Sequence, residues 1–158
     1  MRACKTAFIS GVVLVAGLSI LSAQGVDPRV GTWHLSVSKS KFSPGPAPKS
    51  QTLKIEAAGK GEKVTSETIP ATGDKTVTEY TADFDGKPYP LKGSPVADTV
   101  TLKRIDANTT ERVDSKGGKT MTTYHRVVST DGKTLTVTSK GTNAQGQATS
   151  NVVVFEKH

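Results

Sequence analysis

From Trp33 to Phe155 apolar side chains recur at every second position, in short runs separated by glycine, proline or Asp-Gly. A period of two places alternate side chains on opposite faces of a pleated strand. No long segment carries the 3.6-residue apolar period of an amphipathic helix. The chain is thereby restricted to sheet with one packed and one wet face.

The runs follow one another closely. Trp33, Leu35 and Val37 share one face of the first, with Thr32, His34 and Ser36 on the other. Pro44, Pro46 and Pro48 then disfavour ladder and helix alike and predict an extended connection. Leu53, Ile55 and Ala57 make the next apolar face; Val100 and Leu102 define a later strand. Turn signals fall at 58–63, 70–75, 106–108, 116–119 and 143–147. Asp85-Gly86 and Asp131-Gly132 predict two-residue hairpins of type I′, whose central residues both need positive φ. The reading is all-β: an antiparallel meander of about ten strands, closed or nearly closed into a barrel that hides its edges.

The first residues stand apart. Arg2 and Lys5 precede an apolar run, Ala7 to Leu21, and small residues follow. A basic start, an apolar run and a small-residue exit predict a secretory signal peptide, residues 1–23, ahead of one domain over 24–158. Gly25 offers a second cleavage point. The run is shorter than the roughly 20 apolar residues a bilayer span needs, and no basic cluster follows it to make an anchor. The expected location is periplasmic or extracellular, with no membrane span once the leader is gone.

Cleavage removes Cys4, the one cysteine, so a disulfide, a thiolate metal site and a cysteine nucleophile are excluded from the mature domain. It also removes Arg2 and Lys5, lowering the formal charge from +7 to +5. The remaining lysines are spread singly, which predicts a solvated surface and no nucleic-acid partner. Aromatic residues are 5% of the chain, so few large side chains exist to fill a core.

Catalytic patterns are absent from the sequence. It contains no Gly-x-Ser-x-Gly, P-loop or dinucleotide fingerprint. His34 and His125 lie on different strands with no metal-ligand spacing. Asp83 to Gly86 imitates the start of a calcium loop, but the twelfth position is Ser94 where a glutamate is required. Glu111 and Asp114 fall on opposite strand faces and cannot act as an acid–base pair. Asn108-Thr109-Thr110 fits a glycosylation acceptor and is equally well a turn. The expectation is a protein that is not an enzyme and uses no metal or cofactor.

Gly31-Thr32-Trp33 at the head of an antiparallel meander resembles the lipocalins and their wider relatives among small ligand-binding barrels. Glycine lets backbone pass close where the strand bends, and tryptophan plugs the barrel with apolar volume. GTWHLSVSKSKFSPGPAP, ADTVTLKRIDANT and RVVSTDGKTLTVTSKGTNAQGQ look like a group of small exported bacterial proteins described only as lipocalin-like or uncharacterised. The lipocalin resemblance implies a basic residue packed on the tryptophan, here Arg126 or Lys157. The chain departs from the lipocalins in lacking a helical pattern before its last strand. Its prolines at 44–48 leave no room for the helical lid of fatty-acid-binding relatives.

The resemblance and the pattern together imply a monomeric binding protein for a small apolar or amphipathic ligand. Trp33, Leu35, Val100, Leu102, Tyr124, Leu135, Val137 and Phe155 are the candidate lining. The alternative is a structural or interaction protein of the cell envelope in which those same residues fill the core. Lumen volume separates the two, because ligand pockets generally exceed about 300 Å³.

Overall fold

A computed structural model describes residues 25–158; the leader-like segment and its Ala23 junction lie outside the described residues. Ten strands follow in order: β1 Gly31–Leu35, β2 Ser50–Ala58, β3 Gly61–Ile69, β4 Thr76–Asp83, β5 Asp85–Lys92, β6 Thr99–Arg104, β7 Thr109–Lys116, β8 Lys119–Val128, β9 Thr134–Thr142 and β10 Ala148–Lys157. Each pairs antiparallel with its sequence neighbour, and β1 pairs with β10 to close the barrel. The closing register sets Trp33 against Lys157, His34 against Glu156 and Leu35 against Phe155. Closure leaves no edge for another chain to extend.

Register and alternation together decide what the barrel encloses. Ile55, Val64, Tyr80, Leu91, Val100, Leu102, Leu135, Val137, Val153 and Phe155 all point inward and are buried. Trp33 is fully buried among them. Burying a large apolar side chain contributes about 1.5–3 kcal/mol. These inward positions are therefore what holds a domain with no disulfide.

Three expectations needed correction. Val37 does not continue the first strand: Val37–Lys39 form a single 3-10 turn, and Val37 is exposed. Ala57, at the far end of β2, is exposed as well. Neither Asp85-Gly86 nor Asp131-Gly132 forms a type I′ turn, because no described residue other than glycine has positive φ. Asp131 instead accepts from the Ser129 hydroxyl and the Lys133 amide and so shapes a longer loop. The type I′ signature falls at Gly117 and Gly118, both with positive φ (56° and 79°), between the paired Lys116 and Lys119. Two glycines meet that demand without the steric cost an aspartate would carry.

The β4–β5 seam is the thinnest. Only Glu79–Lys92 and Tyr80–Leu91 are in register there. Pro88 and Pro90 on β5 have no amide hydrogen to donate, and the β5–β6 register slips between Asp85 and Pro88.

Candidate functional site

The meander sends the connections after β2, β4, β6 and β8 to one end of the barrel, and those after β3, β5, β7 and β9 to the other. Residues 27–30, just ahead of β1, seal the first end. The Trp33 indole Nε1 donates to the Arg29 carbonyl at 2.8 Å. The Lys157 ammonium lies 4.7 Å from the Trp33 ring centre and donates to the carbonyls of Pro28 and Val30 at 2.8 and 2.9 Å. Gly31, at φ 141°, allows this: a Cβ there would come within 3.1 Å of the Lys157 stem. Lys157 is therefore the basic residue on the tryptophan, and Arg126 is employed elsewhere.

Arg29, itself buried, runs into the sealed end. Its guanidinium packs 4.5 Å from the Phe84 ring centre, with Arg104 at the same distance. It forms an ion pair with Asp27, and Asp27 also receives Arg104 Nη2 at 2.8 Å. Its Nη1 donates to Glu62 Oε2 at 3.3 Å. Glu62 Oε1 accepts from the Tyr80 hydroxyl and from Arg126 Nη1, each at 2.7 Å. Arg126 Nε donates to the Thr110 hydroxyl at 3.0 Å. Beside this chain Arg112 grips Asp114 through two hydrogen bonds of 2.6 and 2.7 Å, and stacks over the rings of Tyr80 and Tyr124.

Burial by itself pushes the Glu62 carboxyl up. The charge of Arg126, the Tyr80 hydroxyl and the charge of Arg29 more than offset this and hold it below its ordinary value. Asp27 is also pushed up by burial and carried well below its ordinary value by Arg29 and Arg104. Burial, with Glu62 beside it, pushes the Tyr80 hydroxyl up to about 12. Around neutral pH the network is thus two carboxylates, a neutral phenol and arginines.

Above this layer lies a cavity of about 300 Å³. Its deep walls are apolar: Leu53, Ile55, Val64, Leu135, Val137, Val153 and Phe155. Toward the open end the lining turns polar through Gln51, Thr68, Thr78 and Asn151, and Phe42 reaches in from the proline-rich connection. Arg112, Asp114 and Arg126 supply the cavity's charged groups, and Tyr124 a neutral phenol. Arg126 Nη2 is buried with no hydrogen-bond partner among the described residues.

Of the eight residues expected to line a site, Tyr124, Leu135, Val137 and Phe155 stand in the cavity wall. Trp33, Val100 and Leu102 belong to the packed core, fully buried, and Leu35 packs half-buried against it. Sequence reasoning passed over Arg29, Glu62, Tyr80 and Arg112, and weighed Asp114 only against Glu111, never against Arg112. Their signal was parity: Glu62 and Ser66 alternate in step with Val64, and Arg112 with Asp114. His34 meets His158 edge-on at 4.8 Å on the outside, and His125 faces outward opposite Glu111. Among the described residues no three metal-ligating groups converge, and no helix is long and apolar enough to cross a membrane.

No protein-family model matches this chain, and no curated protein matches it. Among solved structures, a crystal structure of zebrafish ileal bile acid-binding protein complexed with cholic acid aligns over 83% of this chain and 99% of that one. The identity is 13% and the TM-score 0.49.

Proposed function

We propose that this barrel binds, without transforming it, one small amphipathic molecule bearing an anionic group. The apolar body lies against Ile55, Leu135, Val137 and Phe155, and the anionic group meets Arg126. The single observation behind this reading is the Arg126 Nη2, unpartnered among the described residues, on a buried side chain in the wall of a cavity whose deep walls are apolar. A buried polar group without a partner costs about 1–3 kcal/mol. A ligand oxygen recovers that cost, and a charged one forms the stronger bond. A cavity of about 300 Å³ sits at the bottom of the usual pocket range, which favours a short-chain ligand.

A binding role also fits the placement of the bases. The described histidines are not in the cavity wall, so Ser66, Ser94 and Ser139 have no imidazole there to activate them. The leader-like run supports export, with the ligand met outside the cytoplasm; the N-terminal mass of the secreted protein checks cleavage after Ala23.

Titration calorimetry with octanoate tests the reading. The expected result is saturable one-to-one binding, weakened at least about tenfold in Arg126→Met, as loss of a charge-assisted hydrogen bond predicts. Absence of saturable heat in the unaltered protein overturns it and leaves the filled-core envelope protein.

A further inference from the structure

We infer that Arg29, which does not line the cavity, sets the cavity's preference for an anion by acting through Glu62 on Arg126. This rests on the reading above and names what tunes that site. Arg29 is a positioning residue in this scheme; it never touches the ligand.

The argument is one of shared charge. Arg112 and Asp114 face the cavity as a closed bidentate pair and neutralise each other. Among the described residues Arg126 has only Glu62 as its counter-charge, at 2.7 Å. If Glu62 belonged to Arg126 alone, that pair too would be neutral and the cavity would offer an anion little. Glu62 is instead divided, one oxygen toward Arg126 and the other toward Arg29 at 3.3 Å. Among the described residues of this linked network Arg29, Arg104 and Arg126 face Asp27 and Glu62, which leaves one positive charge in excess.

Burial and pairing together decide where that excess acts, since Arg29, the most buried of the three, is held by both carboxylates. Arg104 is 38% exposed, so water screens it. Arg126 is 7% exposed and keeps its free nitrogen, so the excess is felt most strongly there. Arg29 cannot swing away easily: its carbonyl holds the Trp33 indole, its guanidinium packs on Phe84, and Asp27 grips its other edge. Asp27 opposes it, drawing Arg29's charge outward. The segment ahead of β1 thus closes one end of the barrel and also adjusts how positive the cavity is.

The test measures the ratio of affinities for octanoate and 1-octanol, which share a chain and differ in charge. A loss of packing moves both affinities together; the inferred role moves the ratio. The full-length protein should prefer octanoate by about tenfold, the scale of one charge-assisted bond. Arg29→Met should bring the ratio close to one, and Arg29→Lys, which keeps the charge, should restore most of it. Asp27→Asn, removing the opposing charge, should widen the ratio, and it decides the matter if Arg29→Met does not fold. A preference in the unaltered protein that neither Arg29→Met nor Asp27→Asn changes overturns this inference alone. No preference in the unaltered protein overturns it together with the ligand reading beneath it.

Discussion

At the scale of the residue, Glu62 carries more than any other side chain. It is a carboxylate almost wholly enclosed, between two guanidiniums and a phenol. A buried charge is costly unless its partners are in place, and removing one partner strands the others. Glu62→Gln keeps the shape but leaves Arg29 and Arg126 without their shared counter-charge. It should destabilise folding by about 3–5 kcal/mol in urea titrations, as loss of a buried ion-pair partner does. A loss under about 1 kcal/mol, the level of an exposed pair, shows that water already reaches this layer. Gly31 makes a smaller prediction. At φ 141°, with the Lys157 stem close by, Gly31→Ala should cost about 1–3 kcal/mol of strain in the same assay.

At the scale of the element, strand pairing is uneven and dynamics should follow it. β4 and β5 share two registered pairs, whereas β9 and β10 are in register from Ala148–Thr142 to Glu156–Thr134. Amides on the β4–β5 seam should exchange with solvent fastest among the strand amides, because local opening there disrupts least. Equal protection along β5 and β10 contradicts this. The elements themselves were readable because alternation needs no partner to be seen: VTLKR shows the inward Val100 and Leu102 in the sequence alone. The breaks were less so. Val37 kept the parity of Trp33 and Leu35, yet the chain steps into a 3-10 turn before pairing again, Lys41 with Val152. The charged layer stayed hidden for a different reason. Glu62 and Arg126 have inward parity, but a charged residue reads as solvent-facing until its partner is known. That partner is 64 positions away. Burial of this kind is a property of pairs, and pairs across the barrel are created by register rather than by local pattern.

At the scale of the molecule, the enclosed network dictates how stability varies with pH. Glu62 and Asp27 hold folded-state values below their ordinary 4.5 and 3.8, so their contributions are complete above those ordinary values. They are lost as pH falls further, toward the folded values, because the folded state resists protonation that the unfolded chain accepts. Tyr80 works in the opposite direction. Its value rises from 10.0 to about 12, so the neutral phenol is favoured by folding. That contribution is complete below pH 10 and lost as pH climbs through about 12. Between these flanks none of the three groups changes its proton count on unfolding, and so none adds a slope. Thermal melts across pH should therefore show declines at the acid and alkaline ends that come from this layer. Glu62→Gln should flatten the acid decline, and Tyr80→Phe should flatten the alkaline one, to which Tyr124 also contributes, while costing the hydrogen bond to Glu62. An acid decline as steep in Glu62→Gln as in the unaltered protein would assign that flank to Asp27 and the exposed carboxylates of the loops, and take Glu62 out of it.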